Sequence, residues 1–483
     1  MKGTLERLRP TLVGLLALAG WAFAAAAQER GSAPAPNSSA RIERLASLIA
    51  ASAYLEAAAA ADVLLAGSID DAEAGALCGL ALLKVGRVEA AESLLTRALR
   101  LDPANGDAHL GLGRLSGIRN DPKTAISRLR KAVAASRFFD EAARHLWRIA
   151  KELGDPAGLE DAWNAVRERC ARDGRTPPAR LADEAARFRG TAGLFRLESA
   201  PERAVVPLVV RPGATLPMVS MRLNGRCEIP VDIDSAAPGF LTLSPLAAEG
   251  LGLASWGSSV AVGVGTERVE ERFSRLDRVE FSGVVFRDVP VLVSDIVPFR
   301  GQKKGLLGTA LLKKFNVTID VPAGRMDLTA PGRADLLEAR IDRSRVALDV
   351  PLYVFEATTV RVSIGGSPEG WWILDTAAGA HLVDERFFRE HLEQSVPASR
   401  IVSSWVRGAQ GAQRVRRVEG LPLRLGDFTF ESQAVQVFPM AAINRAGGRY
   451  AAGLLGHPVL WPYRVHLDFG RSRLVLERRP APK

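Results

Sequence analysis

Two short stretches are the most informative about the fold of this chain: Ile229-Pro-Val-Asp-Ile-Asp-Ser-Ala-Ala237 and Trp371-Trp-Ile-Leu-Asp-Thr-Ala-Ala378. In each, a run typical of a buried strand follows a turn and ends in Asp, a hydroxyl residue and two Ala residues. A single Asp-Ser or Asp-Thr after a strand means little, because such residues are common in turns. The same pattern twice, with the motif Asp residues 141 positions apart, indicates an internal duplication.

A second motif follows the first in both copies. Gly305-Leu-Leu-Gly308 and Gly453-Leu-Leu-Gly456 lie 148 residues apart. In each copy an Asp, Asp320 or Asp468, lies 15 residues after the first Gly of this motif. Two motifs in the same order, twice in one chain, are far more specific than either motif alone.

The composition changes sharply after Ala204. Val, Ile, Phe and Gly become frequent, and turn signals such as Asn224-Gly225 and Gly366-Ser-Pro368 recur every 8–12 residues. Short runs of strand-forming residues at this spacing predict an all-β region.

The doubled motifs resemble those of the retropepsin-like (clan AA) aspartic proteases. The resemblance covers roughly 205–330 and 345–478. It implies that both halves of the enzyme stand in one chain, as in pepsin-like proteases. The expected fold is an all-β bilobal domain, with lobe 1 at 204–331, a linker at 332–344 and lobe 2 at 345–483.

The resemblance assigns Asp234 and Asp375 to a catalytic dyad. Two carboxyls about 3 Å apart cannot both ionise comfortably, so they share one proton. The charged one takes a proton from water, and the protonated one hydrogen-bonds the scissile carbonyl. The implied activity is that of an aspartic endopeptidase acting on a peptide or protein substrate. Asp232 shares a strand face with Asp234, but the match between the copies selects Asp234.

The neighbouring residues have implied supporting roles. Ser235 and Thr376 correspond to hydroxyl residues that brace the two active loops. Ala236 and Ala377 stand where the family has Gly, and the added methyl is costly only if the loop needs a Gly-only φ or if the space is filled. This departure leaves an alternative open, a catalytically inactive peptide-binding or adaptor protein. Gly308 and Gly456 belong to the structural glycine motif.

A mobile flap is expected between the two motifs of each copy, over Val260–Val269 and Val406–Gln413. Gly at a hairpin tip supplies positive φ and mobility, which a lid needs to admit a chain and then exclude water. The alternative is two ordinary exposed hairpins. The predicted substrate-binding tip residues are Val264, Gly265, Thr266, Gly408, Ala409 and Gln410.

The region 41–170 is rich in Ala, Leu and Arg and repeats with a 34-residue period, with starts at Ala72, Gly106 and Asp140. Small residues at matching positions let helices cross closely, and Gly86 and Gly154 fall at the predicted turns between paired helices. The pattern resembles tetratricopeptide repeats, which implies an all-α solenoid. Such an array either docks a protein partner on a concave surface or braces the next domain.

The first residues read as a secretory signal peptide, 1–27. Lys2, Arg7 and Arg9 precede an apolar stretch that ends in small residues, before a Pro/Ser/Ala-rich linker at 28–40. The segment is either cleaved or kept as an anchor, and no later stretch is long and apolar enough to span a membrane. We therefore expect an exported, periplasmic protein of a Gram-negative bacterium. A second linker is predicted at 171–203, between the helical region and the β region.

Composition excludes several other classes of protein. The net charge is +10, from 64 basic and 54 acidic residues, and removing residues 1–27 leaves +8. Five like charges never occur in a row and aromatic residues are few, which argues against nucleic-acid binding. Cys78, Cys170 and Cys227 form no CxxC pair, so a disulfide framework and a Cys-based zinc site are excluded, although one bridge can form. No metal or cofactor is predicted.

Overall fold

The computed structural model describes residues 38–67, 70–178, 181–182, 185, 195–209, 216–265, 268–296, 301–302 and 304–480. The predicted signal peptide and the predicted flap residue Thr266 lie outside these residues. Within the described part of the chain, no helix has both the length and the apolar character needed to cross a membrane. The chain divides into two units, Met1–Arg44 and Leu45–Lys483.

The described residues 38–172 form consecutive helices, as predicted. Three of these helices begin at a polar residue whose side chain accepts a backbone N–H of the first turn: Asp71 from Ala74 at 2.9 Å, Asn105, and Asp121. Such caps satisfy donors that the helix itself leaves free. That the array is of tetratricopeptide type stays a prediction. The eight helices are α1 (Ser38–Ala50), α2 (Tyr54–Leu65), α3 (Ala72–Lys84), α4 (Val88–Leu101), α5 (Gly106–Ile118), α6 (Pro122–Ala135), α7 (Phe139–Leu153) and α8 (Pro156–Arg172).

The turn within each helix pair contains one residue with left-handed backbone. These residues are Ser52, Gly86, Asn120 and Gly154, with φ of 59°, 93°, 56° and 66°. They lie at intervals of 34 residues. Gly adopts this conformation freely and Asn is the side chain that best tolerates it. The turns at Gly86 and Gly154 lie where the 34-residue period predicts them, whereas those at Ser52 and Asn120 were not predicted.

The turns of the helical array pack directly against the β region. A Cβ added to Gly86 would lie 3.3 Å from the indole ring of Trp371, whose Nε1 donates to Leu83 O at 3.0 Å. A Cβ added to Gly154 would lie 1.8 Å from Phe195 O. Trp371 belongs to lobe 2, and Phe195 packs in the apolar core of lobe 1. The array therefore contacts both lobes.

A buried group of charges lies where the array meets lobe 2. Lys84 Nζ binds Glu141 Oε1 at 2.8 Å and donates to Gly448 O at 3.2 Å, and Arg114 also forms an ion pair with Glu141. Burial lowers the pKa of Lys84 to about 8. Burial alone would raise the pKa of Glu141, but the charges of Lys84 and Arg114 hold it well below its usual value. Each ionised group thus has a partner of opposite charge inside the contact, with Glu141 shared by Lys84 and Arg114.

The remainder of the chain is mostly β, as predicted. The strands of lobe 1 are β1 (Arg196–Ser199), β2 (Arg203–Val209), β3 (Met218–Leu223), β4 (Cys227–Ile233), β5 (Leu241–Leu243), β6 (Trp256–Val260), β7 (Glu270–Phe281), β8 (Val284–Ser294), β9 (Gly305–Leu307), β10 (Asn316–Asp320) and β11 (Arg325–Thr329). Those of lobe 2 are β12 (Val346–Pro351), β13 (Tyr353–Val354), β14 (Thr358–Ile364), β15 (Gly370–Leu374), β16 (His381–Asp384), β17 (Ile401–Gly408), β18 (Gly411–Leu425), β19 (Phe428–Phe438), β20 (Ala451–Leu455), β21 (Tyr463–Asp468) and β22 (Arg473–Arg478). Short helices among these strands are α9 (Pro245–Gly250), α10 (Thr309–Leu312), α11 (Ala334–Glu338), α12 (Glu385–His391) and α13 (Ala441–Ala446).

Each lobe closes a small barrel with the same strand order. In lobe 1 the order is β3-β4-β9-β5-β8-β7 with β7 pairing back to β3, and in lobe 2 it is β14-β15-β20-β16-β19-β18 with β18 pairing back to β14. In both barrels the strand that ends in the Asp motif runs parallel to the strand that carries Gly-Leu-Leu-Gly. The structure thus confirms the predicted fold class, a helical region followed by a two-lobed β region.

The sheet of lobe 1 continues through β2 into a part with the order β2-β11-β10-β21-β22-β12, which joins the lobes. Its central pair, β10 and β21, consists of equivalent strands of the two copies, with Thr318 opposite His466. The predicted linker 332–344 contains α11, and the predicted linker 171–203 contains β1, which pairs with β8. The copies are therefore joined across an approximate two-fold relationship that brings corresponding loops face to face.

Candidate active site

Each motif Asp is anchored to its own Gly-Leu-Leu-Gly loop in the same way. Asp234 follows β4, and its N–H donates to Leu307 O at 3.0 Å. Asp375 follows β15, and its N–H donates to Leu455 O at 2.9 Å. Because the parallel strand pairs end at the same edge of each barrel, the second motif fixes the position of the first.

The last glycine of each second motif is required by space. A Cβ on Gly308 would lie 2.2 Å from Gly239 O, and one on Gly456 would lie 2.4 Å from Ala380 O. Their φ values, −89° and −85°, are open to any residue. The close approach of the two loops, and not an unusual backbone conformation, therefore explains the predicted structural glycines.

Hydrogen bonds between the lobes hold the two active loops together. Ser235 N donates to Thr376 Oγ1 at 3.0 Å, and Thr376 N donates to Ser235 Oγ at 3.1 Å. Ser235 Oγ also donates to Leu374 O, and Thr376 Oγ1 to Ile233 O, at 2.6 and 2.7 Å. Both side chains are fully buried. The structure thus brings together the two loops that the sequence placed 141 residues apart.

Two further threonines support these loops and were missed in the sequence. Thr309 Oγ1 and Thr358 Oγ1 each donate to Ser235 O at 2.8 Å. Thr358 N donates to the same carbonyl at 2.9 Å. Their partner is 74 and 123 residues away, and no local pattern announces such a contact.

Backbone N–H groups point at both motif carboxylates. Asp234 Oδ1 accepts from Ala236 N at 2.8 Å and from Ala237 N at 2.9 Å, and Asp375 Oδ1 accepts from Ala377 N at 2.8 Å. Ala236 and Ala377 lie outside the left-handed region of φ. The alanines that replace the family's glycines therefore keep the donor and introduce no backbone strain.

Burial dominates the titration of both carboxyls. It raises the pKa of Asp234 to about 6, against the lowering effect of the two backbone donors, and the charge of Asp232 adds to the rise. Burial, followed by the charge of Asp234, raises the pKa of Asp375 well above its usual value. Two acids with raised and mutually dependent pKa values titrate as a pair, and the pair keeps a proton to a higher pH than an ordinary carboxyl does.

The two flap tips meet. Gly265 and Gln410 form a parallel β-bridge, and Gln410 N donates to Val264 O at 2.8 Å. The Gln410 side chain continues the contact by donating to Ala261 O at 2.8 Å and accepting from Gly263 N at 3.2 Å. The tip residues predicted from the two copies therefore contact each other.

The remaining tip residues form part of the same contact. A Cβ on Gly408 would lie 2.5 Å from the Cβ of Val264. Ala409 packs on an apolar cluster of Ala261, Val269 and Ile296. A side chain at position 408 would push the tips apart, which gives this glycine a steric reason.

Apolar side chains connect the active loops with the flaps. Val406, from the second flap, packs in one cluster with Ile373 and Leu454, and Ala236 and Val264 pack against it. The methyl group of Ala236 therefore lies among apolar side chains. Among the described residues, no group of three or more His, Cys, Asp or Glu side chains is arranged to hold a metal ion. All three cysteines are free thiols.

Comparison with known proteins agrees with the duplication. Residues 219–311 and 360–459 match the aspartyl protease family model. Similar solved structures include an aspartic proteinase from Irpex lacteus (13% identity, 57% of this chain and 97% of that chain, TM-score 0.37). Others are basic 7S globulin from soybean (12%, 58% and 98%, 0.33) and conglutin gamma, a basic 7S globulin from lupine seeds (11%, 58% and 96%, 0.36). No curated protein matches the chain.

Proposed function

We propose that this protein is an aspartic endopeptidase in which Asp234 and Asp375 share a proton and activate a water molecule. The observation that carries the proposal is the reciprocal pair of hydrogen bonds between Ser235 and Thr376, at 3.0 and 3.1 Å. Because each of these residues directly follows a motif Asp, the bonds hold the two acids on facing loops. The match of both copies to the aspartyl protease family model supports the same conclusion.

The chemistry follows from one proton distributed over two carboxyls. The ionised carboxylate removes a proton from water, and the water oxygen attacks the carbonyl carbon of the substrate. The protonated carboxyl hydrogen-bonds the carbonyl oxygen and stabilises the charge that develops there. A proton then passes to the amide nitrogen, and the C–N bond breaks without a covalent intermediate. The raised pKa values of Asp234 and Asp375 suit this division of roles.

The surroundings of the acids support an active enzyme over the inactive adaptor. Ala236 and Ala377 each donate a backbone N–H to a motif carboxylate at 2.8 Å. The alanines that replace the family's glycines therefore leave each motif carboxylate with a hydrogen-bond donor. The tip residue Val264 packs against the same cluster as Ala236, which is two residues from Asp234, so opening of the tips would admit a peptide chain toward the acids.

We propose further that the enzyme acts after export, in the periplasm of a Gram-negative bacterium. The support is the basic, apolar and small-residue order of the first 27 residues. Fractionation of cells that express the full chain, with mass spectrometry of the N-terminus, tests this. A mature protein that begins near Gln28 in the periplasmic fraction is expected, and an uncleaved cytoplasmic protein would contradict it.

Single Asp→Asn variants at the two acids test the proposed activity. Asp234→Asn and Asp375→Asn should each reduce peptide hydrolysis by at least about 100-fold, because either change removes the shared titration. Asp277→Asn is the matched control, since the Asp277 side chain is 72% exposed on lobe 1. Cleavage of a peptide library at the wild-type rate by either acid variant would disprove the assignment.

A further inference from the structure

The two copies differ in chemistry two residues before the motif Asp. Lobe 1 has Asp232 at this position, and lobe 2 has Ile373. Val231 and Ile233, on either side of Asp232, point into the core of lobe 1. Because side chains alternate along a strand, Asp232 lies on the opposite face, the one that continues to Asp234.

Asp232 is held by a lysine from the strand beside it. Lys304 directly precedes β9, and its Nζ forms an ion pair with Asp232 Oδ2. The Asp232 side chain is 3% exposed and that of Lys304 is 14% exposed. In lobe 2 the corresponding positions are Ile373 and Ala452, so the charged pair occurs in one copy only.

The neighbours of the pair place it at the floor beneath the first flap. Asp232 lies opposite Leu306 in the parallel pairing of β4 with β9. Leu306 in turn packs on the cluster that includes Ala261 of the first predicted flap, and Ala409 of the second packs on the same cluster. Ile373, at the equivalent position of lobe 2, packs with Val406 of the second flap. The two sides of the cleft are thus lined by a charged pair and by aliphatic side chains.

The stability of the fold gives no reason for this ion pair. Replacing a buried ion pair by apolar residues of similar volume is often neutral or stabilising. In lobe 2 the equivalent strand pair forms with Ile373 and Ala452 at these two positions. The charged pair beside Asp234 is therefore better explained by contact with a ligand than by a contribution to stability.

We propose that Asp232 and Lys304 determine specificity at one side of the scissile bond, where they select a hydrogen-bonding side chain of the substrate, whereas the Ile373 side selects an apolar one. This inference rests on the proposed peptidase activity. An apolar substrate group placed over the pair would strip water from two charges without replacing its hydrogen bonds. A hydroxyl, amide or charged side chain would replace them, so the preference arises largely from rejection of the apolar residue.

The experiment compares cleavage-site profiles. The wild-type protein is incubated with a library of synthetic peptides, and the cleaved bonds are identified by mass spectrometry. The expected profile has an apolar residue on one side of the bond and a polar residue on the other. The variant Asp232→Ile/Lys304→Ala copies lobe 2 and should lower the kcat/KM ratio of a polar to an apolar peptide, differing only at that position, about tenfold.

A matched control removes an exposed ion pair that involves the same strand, β4. Arg222 and Glu228 face each other across β3 and β4 at 3.0 Å, and their side chains are more than half exposed. Glu228→Ile/Arg222→Ala should leave the substrate ratio unchanged. If the double variant Asp232→Ile/Lys304→Ala fails to fold, the single variant Asp232→Asn should also lower the kcat/KM ratio of the polar to the apolar peptide.

Two outcomes would overturn the inference while leaving the peptidase intact. One is a wild-type profile with apolar residues on both sides of the bond. The other is an unchanged substrate ratio in the folded Asp232→Ile/Lys304→Ala protein. If the wild-type protein and Asp234→Asn hydrolyse the library equally slowly, the proposed function itself is wrong, and this inference falls with it.

Discussion

Ser235 and Thr376 each donate a backbone N–H to the hydroxyl of the other, at 3.0 and 3.1 Å, across the boundary between the lobes. Each hydroxyl then donates to a carbonyl of the opposite loop, Leu374 O or Ile233 O. These four hydrogen bonds satisfy six polar groups at a fully buried position. Neither loop can move without breaking bonds of the other, so the site behaves as a single unit built from both copies.

Thr376→Val should therefore destabilise the whole protein. The substitution keeps the shape but leaves Ser235 N–H and Ile233 C=O buried without partners, at about 1–3 kcal/mol for each group. Thr376→Ser retains the hydroxyl and should cost much less. The free energy of unfolding in urea measures both variants, and wild-type stability of Thr376→Val would show that the bonds are unimportant.

Stability should fall as pH rises through the titration of the acids. The pKa of Asp234 is raised to about 6 in the folded protein, so the folded state binds a proton that the unfolded state releases at lower pH. The stabilisation is complete below the unfolded pKa, about 4, and is lost as pH rises through about 6. Relative to Asp234→Asn, the wild-type protein should lose up to about 3 kcal/mol over that range. Urea unfolding at several pH values tests this, and a constant difference between the two proteins would contradict it.

Flap opening can be tested with a reversible cross-link. A Cβ on Gly263 would lie 3.2 Å from the Cβ of Ala409, close to the separation in a disulfide of about 3.5–4.5 Å. Gly263→Cys/Ala409→Cys, once oxidised, should lose at least about 90% of its activity on peptides, because a locked lid excludes the chain. Reduction should restore activity. Ala409→Cys alone is the control, and full activity of the cross-linked protein would mean that substrate enters elsewhere.

The contact between the helical array and the β region predicts an unequal effect of two glycine substitutions. Gly154→Ala places a methyl group 1.8 Å from Phe195 O, whereas Gly174 has a similar φ, +62°, and nothing within 4 Å. Gly174→Ala should cost only the left-handed backbone penalty, about 1–2 kcal/mol. Gly154→Ala should cost clearly more. Thermal unfolding compares them, and equal losses would mean that the turn does not press on lobe 1.

Features that repeat in the sequence were predicted well. The doubled motifs located the ends of β4 and β15, because a strand ending in a fixed turn leaves a local pattern, but the parallel pairing of these strands with β9 and β20 was not predicted. The 34-residue period located the helix pairs from Ala72 onward. The turns at Ser52 and Asn120 were missed because the left-handed position carries a residue other than Gly there.

Apart from the pairing of the two active loops, contacts between distant segments were not predicted. Thr358 reaches Ser235 over 123 residues, and Gln410 contacts Ala261 over 149. Lys304 meets Asp232 only because β9 lies parallel to β4. Such contacts depend on how the strands assemble, and neither residue type nor spacing encodes that. The carboxyl of Asp232 was accordingly compared with Asp234 as a candidate for the dyad but not recognised as half of an ion pair.

Because both lobes belong to one polypeptide, their sequences do not have to be identical. In a homodimer every substitution appears twice, so an ion pair such as that of Asp232 and Lys304 would stand on both walls of the groove. Here Ile373 occupies the mirror position. Two linked lobes that differ in sequence can therefore distinguish the two ends of a bound peptide and fix its direction. A strictly symmetric homodimer cannot do this.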